Sequence, residues 1–168
     1  MLSSTALFDE ILLPKGIADV PLGLKIRPLE VDDYEKGYLE LLEQLTTVGK
    51  ISKDKFMKRF ESMQKANSYY IVVIEDIELS QIIATATLLI EFKFIHGAGT
   101  RGRIEDVVVD QKMRGQKLGA LLNKVLVDIA EKLGVYKLSL ECIDGLIPFY
   151  EQFGYKKDVN FLVQRFEN

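Results

Sequence analysis

The spacing of apolar positions along this chain changes period several times, and each change predicts an element. Leu118, Leu121, Leu122, Val125, Leu126, Ile129 and Leu133 recur at helical spacing and predict a long amphipathic helix that stops at Gly134. Just before it, Arg103 to Val109 is an apolar, β-branched run of the kind that makes a buried strand. Tyr69 to Glu75 and Ile82 to Phe92 predict two further strands, joined by a polar turn near Asp76 to Ser80. Leu24 to Leu29 predicts a short first strand, Tyr136 to Cys142 a late one, and Lys156 to Phe166 a last one. Between these lie a helix from Tyr34 to Leu45, entered through the acidic Glu30 to Asp33, and a helix from Lys53 to Lys65. Ser52 is placed to cap the latter, whose apolar stripe is Phe56, Phe60 and Met63. A short helix, Ile147 to Phe153, ends at Gly154. Residues 1–21 read as an extended arm anchored by Leu7, Phe8, Ile11 and Leu12, and residues 22–168 as a single domain.

The expected order is β-α-α-β-β-β-α-β-α-β. Hairpin-like strands precede one crossover helix, which predicts an α/β mixed sheet, mostly antiparallel, with helices on its faces and not a doubly wound nucleotide fold. A length of 168 residues suits one domain, and 48% apolar with 28% charged residues suits a globular chain. The net charge of -3 gives no global field for nucleic acid, so an anionic ligand would need a local basic site. The one cysteine, Cys142, excludes an internal disulfide, and one cysteine with one histidine, His96, argues against a zinc site. No apolar run approaches the roughly 18 residues of a membrane span, and no secretory signal pattern is present.

The turn Arg114-Gly115-Gln116-Lys117-Leu118-Gly119-Ala120, between strand and long helix, carries the candidate chemistry. Strand, basic glycine turn, helix is the geometry that presents unpaired N–H groups to a phosphate. On pattern alone a plain helix start with solvated cations is as good a reading. The turn is neither a Walker loop nor a dinucleotide fingerprint.

This segment resembles the R/Q-x-x-G-x-G/A motif of the GCN5-related N-acetyltransferases, with Arg114 first, Gly119 last, and Lys117 where the middle glycine usually stands. From about Leu24 to Phe166 the chain is similar to the glucosamine-6-phosphate N-acetyltransferase branch. The motifs that carry this are Leu45-Thr46-Thr47-Val48-Gly49, Lys93-Phe94-Ile95-His96, Ile104-Glu105-Asp106-Val107-Val108-Val109, Arg114 to Gly119, Tyr136-Lys137 and Phe149-Tyr150-Glu151.

The resemblance implies direct acetyl transfer from acetyl-CoA to the 2-amino group of glucosamine 6-phosphate, without an acyl-enzyme and without metal. It implies that the amides of Gly115, Gln116, Lys117, Leu118, Gly119 and Ala120, with Arg114, hold the pyrophosphate. Val107, Val108 and Val109 would pair with the pantetheine arm, and an N–H there would polarise the thioester carbonyl. Thr46, Lys93, Phe94, Ile95, His96, Glu105, Asp106, Val107, Tyr136, Lys137 and Arg165 match sugar-phosphate positions. Arg165 is expected to be shared across a homodimer. The apolar Phe161-Leu162-Val163 run also asks for a partner strand.

Several of these residues have plainer alternatives. Tyr150 is the candidate acid for the departing sulfur, or an aromatic anchor. Glu141 orients or deprotonates the amine, or is a solvated strand carboxylate. Cys142 contacts the CoA thiol, or is an inert buried cysteine. Lys93, Lys137 and Arg165 are each, alone, ordinary solvated cations, and His96 alone an ordinary loop residue. Glu105 and Asp106 are adjacent on a strand, so they are expected to face opposite sides. Leu146 stands where the family commonly has a cofactor-binding Asn, and Pro148 stiffens the start of the last helix. The expected location is cytoplasmic, with peripheral attachment to internal membranes as an alternative. The competing functions are acetyl transfer to another amine and a non-catalytic acyl-CoA-binding module.

Overall fold

In the computed structural model, which describes residues 5–17 and 20–166, five strands form one sheet in sequential order. They are β1 (Leu24–Pro28), β2 (Tyr69–Asp76), β3 (Gln81–Phe92), β4 (Thr100–Val109) and β5 (Val135–Leu140). β1 to β4 are antiparallel neighbours, and β5 joins β4 in parallel. The helices are α1 (Tyr38–Glu43), α2 (Lys53–Ala66), a single turn α3 (Ile95–Ala98), α4 (Leu118–Lys132) and α5 (Ile147–Glu151).

β2 and β3 are covered on both faces, which is why their sequences are almost continuously apolar. Tyr70, Val72, Ile74 and Leu88 pack with Leu118, Leu122, Leu126 and Ile129 of α4. Ile71, Val73 and Val108 pack with Tyr38, Leu41, Phe56 and Phe60 of α1 and α2 on the other side. α2 begins as expected, with Ser52 Oγ accepting from the Lys55 N–H at 3.2 Å. Gly134, at φ +70, follows the end of α4. At the β1 edge Arg27 is buried and gives a two-pronged ion pair to the fully buried Asp33 at 2.7 and 2.8 Å, with Glu75 beside it at 2.8 Å.

The structure departs from the sequence reading in four places. The helix expected over Tyr34 to Leu45 is split: a 3-10 stretch, Val31–Lys36, ends at Gly37 (φ +78), and α1 starts after it. In the arm, Leu7 and Leu13 are buried, whereas the expected anchor Ile11 is 73% exposed. The strand expected over Lys156 to Phe166 is not formed within this chain, and Phe161, Leu162 and Phe166 are exposed. A strand needs a neighbour for its ladder, and β5, the sheet edge nearest to it in sequence, has no second strand beside it among the described residues. The fourth departure lies in β4 and shapes the site.

Candidate active site

β4 carries a bulge. Glu105 pairs opposite Thr87 and Val108 opposite Thr85, so Asp106 and Val107 together face Ala86 alone. Asp106 adopts φ +51 to accommodate the extra residue. The expectation that Glu105 and Asp106 face opposite sides therefore fails: both line one cavity of about 670 Å³, together with Tyr38, Leu42, Phe56 and Leu89. Partial burial raises the Asp106 carboxyl above its ordinary range. Most of the cavity wall is apolar. Of the residues matched to the sugar phosphate, Lys93, His96, Tyr136 and Lys137 lie outside it.

The second feature is a parting of strands. The β4/β5 ladder runs from Thr100↔Val135 to Ile104↔Leu140 and stops there, while β4 continues to Val109. Glu105 to Val109 thus offer backbone groups on their β5 side with no strand to take them, at the positions expected to meet the pantetheine arm.

At the end of that strand, Gln111–Met113 makes a 3-10 turn, and the chain enters α4 through Gly115 (φ +85) and Lys117 (φ +60). The first ladder bond of α4 is Leu121 N–H to Lys117 O at 3.0 Å, and no side chain caps the helix start. The amides of Leu118, Gly119 and Ala120 therefore point out of the helix opening unpaired by the ladder, beside the exposed Arg114 and Lys117. A Cβ on Gly119 would lie 3.8 Å from Phe149 Cζ and 3.9 Å from Val109 Cγ2, which puts this turn against both β4 and α5. Amides, two cations and a bare glycine surface suit a diphosphate. The left-handed backbone of Lys117 supplies the reason a glycine is usual at that motif position.

The acid–base candidates sit beside the parted strands. Tyr150 is 8% exposed, with its ring edge-on to Phe149 at 5.0 Å and to Tyr155 at 5.9 Å. Burial first, and the nearby Cys142 second, raise its hydroxyl above the ordinary tyrosine value, so at neutral pH it holds its proton. Cys142 is exposed, not the buried residue of the plainer reading. Glu141 is ion-paired with Arg103, whose other nitrogen holds Glu105 at 2.9 Å. Sequence reasoning passed over Arg103. Strand register could have found it, because residues 101, 103 and 105 alternate onto one face of β4, next to Lys137 and Ser139 on β5. Arg101 donates to Ser139 Oγ at 2.9 Å on that face.

The remaining expected sugar-site residues are only partly gathered. His96, exposed with Phe94 and Ile95 at the β3–β4 turn, stacks on the exposed Tyr136 of β5 with ring centres 4.4 Å apart. Lys93 is tied to Glu91 at 2.6 Å. Thr46 is exposed just after α1, a loop joined to the end of β4 by Gln44, which donates to Asp110 at 3.0 Å and accepts from the Gln111 N–H at 3.0 Å. Arg165 lies in the exposed C-terminal run. Among the described residues there is no cluster of His, Cys, Asp or Glu suited to a metal ion.

A bulged strand, parted from its parallel neighbour and running into an uncapped helix, is the architecture of an acyl-CoA-dependent N-acyltransferase. The sequence model of the Acetyltransferase (GNAT) family matches residues 26–155, and the chain belongs to this family, in its glucosamine 6-phosphate N-acetyltransferase branch. It is 48% identical over 132 residues to a probable glucosamine 6-phosphate N-acetyltransferase of Drosophila melanogaster, a match spanning 79% of this chain and 60% of that protein. It is 39% identical over 136 residues to glucosamine 6-phosphate N-acetyltransferase 1 of Dictyostelium discoideum, spanning 80% of this chain and 86% of that one. The crystal structure of glucosamine-6-phosphate N-acetyltransferase from Arabidopsis thaliana superposes with a TM-score of 0.83 at 38% identity, covering 86% of this chain and 99% of that one.

Proposed function

We propose that this protein transfers acetyl from acetyl-CoA to the 2-amino group of D-glucosamine 6-phosphate, giving N-acetyl-D-glucosamine 6-phosphate and CoA. The observation that carries this is the alignment of the open β4 edge, Glu105 to Val109, with the unpaired amides at the start of α4. One line of backbone donors could then hold both the thioester arm and the diphosphate. The family relationship supplies the acceptor.

Attack is direct. The neutral amine adds to the thioester carbonyl, an N–H of the β4 bulge polarises the carbonyl oxygen, and the thiolate leaves. Tyr150 gives that sulfur its proton and is reprotonated from water, the attacking nitrogen gives up one proton to water as the tetrahedral adduct collapses to the amide, and Glu141 orients the amine. Placement of both substrates in line supplies much of the acceleration. Arg114 and the amides from Gly115 to Ala120 bind the diphosphate. Thr46, the 93–96 segment, Glu105 to Val107, Tyr136 and Lys137 receive the sugar phosphate.

The working unit in this reading is a homodimer, with Arg165 contributed by the second subunit. The exposure of Phe161, Leu162 and Phe166 at 61%, 90% and 77% supports it. No helix among the described residues is long and apolar enough to cross a membrane, and we place the protein in the cytoplasm. Cys142, exposed at the end of β5, would meet the CoA thiol. Intact mass after incubation with CoA disulfide tests that contact.

The deciding assay mixes acetyl-CoA with glucosamine 6-phosphate and follows thiol release and product mass. Stoichiometric thiol and a singly acetylated sugar are expected. No release with this acceptor, alongside release with another amine, would reject the assignment.

A further inference from the structure

One polar side chain in the core is not accounted for by packing or by the chemistry above. Asn123, on α4, is 3% exposed. Its Oδ1 accepts from the Tyr155 hydroxyl at 3.3 Å, while its Nδ2 is buried without a hydrogen-bond partner. The neighbouring buried positions of α4, Leu122 and Leu126, are apolar, and a leucine at 123 would bury no unpaired Nδ2. An amide that spends only its oxygen is there for that oxygen, and the oxygen holds Tyr155.

What Tyr155 does follows from its other contact. Its ring stands at 80° to the ring of Tyr150, centroids 5.9 Å apart. Phe149 is a second ring edge-on to Tyr150, at 77° and 5.0 Å. Asn123 lies one helical turn beyond Gly119, whose missing Cβ faces Phe149, so one stripe of α4 touches both rings that stand edge-on to Tyr150. Burial and the charge of Tyr150 together push Tyr155 up to about 12. The Tyr150 hydroxyl makes no hydrogen bond to another described residue, so packing sets its direction, and these two ring edges are part of that packing.

We infer that Asn123 and Tyr155 are positioning residues for acetyl transfer: their hydrogen bond locks the Tyr155 ring, which fixes the direction in which the Tyr150 hydroxyl faces the departing sulfur. This rests on the role proposed for Tyr150. A tyrosine that only anchored α5 would need the ring contact and not the hydrogen bond behind it.

The test is a set of variants in the full chain: Tyr155→Phe, Asn123→Leu, the double variant, and each of these with Tyr150→Phe. Tyr155→Phe keeps the ring and removes the bond. Asn123→Leu removes the bond and the stranded Nδ2. With Tyr150 present, each single variant is expected to lower kcat about tenfold with KM for both substrates changed less than twofold. The double variant should be no slower than either single one, because one bond is lost in all three. Melting temperature should hold or rise in the double variant, which leaves neither an Nδ2 nor a Tyr155 hydroxyl unpaired. In the Tyr150→Phe background none of them should slow turnover further. If Tyr150→Phe lowers kcat but Tyr155→Phe and Asn123→Leu leave it unchanged, the positioning role is wrong. A fall in kcat that persists undiminished in the Tyr150→Phe background also overturns it. Full turnover in Tyr150→Phe itself would overturn the acid assignment, a different outcome from either.

Discussion

Lys117 is the residue at which the cofactor turn departs from its family pattern, and its backbone makes the departure measurable. It sits at φ 60, ψ 19, immediately before α4. A side chain in this left-handed region costs roughly 1–2 kcal/mol, because Cβ crowds the following carbonyl. Glycine escapes that cost but gives the unfolded chain more freedom, which takes back about 0.5–1 kcal/mol. Lys117→Gly should therefore stabilise the protein by about 0.5–1 kcal/mol. For a chain of this size that corresponds to a melting temperature higher by roughly 1–4 °C. The lysine also places a cation at the positive end of the helix dipole, so removing it helps by a second route. Lys117→Ala separates the two: it removes the charge and keeps the strain. Thermal melts of the three proteins without ligand, at low and high salt, make the comparison. Glycine should exceed alanine at both salts, while any gain by alanine over lysine should fade as salt rises. The KM for acetyl-CoA should change by less than tenfold, since the amides that face the diphosphate remain. A glycine variant no more stable than the alanine variant would refute the assignment of strain to this position, and with it the reason given for glycine in the motif.

Other outcomes follow from contacts elsewhere. Gly102→Ala would put a Cβ 2.6 Å from Leu138 Cδ2 and 3.0 Å from Leu88 Cδ1. Leu88 is fully buried, so β5 must give way, with a loss of about 1–3 kcal/mol and a raised KM for acetyl-CoA; calorimetry and steady-state kinetics would detect both. Arg27→Met would leave Asp33 buried without its partner, at a cost of about 3–5 kcal/mol in urea unfolding. Burial opposes ionisation of Glu75, but hydrogen bonds from Lys36 and Arg27 outweigh it and hold the carboxyl below its ordinary range. Its stabilisation is therefore present above the usual glutamate value and is lost as pH falls from there through the lowered folded value. Urea midpoints of the parent and Glu75→Gln should converge over that interval. Arg103→Gln should lower kcat and kcat/KM for the amino sugar while leaving the KM for acetyl-CoA within twofold; unchanged amino-sugar kinetics would remove the Arg103 bridge from the site.

Much of this fold is readable from period alone, because its elements are buried on well-defined faces. The stripe from Leu118 to Ile129 could only be a helix against a sheet, and the alternation of Ile71 and Val73 with Tyr70, Val72 and Ile74 serves two different cores. What escapes the sequence is local backbone geometry and anything that needs a second chain. The break at Gly37 leaves the apolar spacing of Tyr34 to Leu45 intact, so pattern reading runs through it. The bulge at Asp106 is equally silent, since an extra residue in one strand changes which residues are opposite each other without changing which are apolar. The segment from Lys156 to Phe166 has strand-like composition but does not join the open β5 edge of its own sheet. Its expectation and its absence are both consequences of apolar side chains waiting for a neighbour. The cofactor turn was legible as a motif, yet the strain at Lys117 emerged only with its dihedral angles.

The Arg103 bridge bears on how much chemistry the protein must perform. Its guanidinium is held charged by Glu105 and Glu141, which outweigh the cost of its partial burial. Glu105 sits at the mouth of the bulge and Glu141 just past the end of β5, so one cation spans the gap where the strands part. That arrangement fixes two carboxylate oxygens in direction, as is needed to receive the N–H groups of an amine and aim its lone pair. It is less suited to stripping a proton, because a carboxylate engaged by a guanidinium must give up that bond to accept one. The site is therefore better built to select an amine already neutral than to create one. Side-chain proton transfer in the proposed reaction then falls at its other end, where the buried Tyr150 hydroxyl is assigned to protonate the departing sulfur.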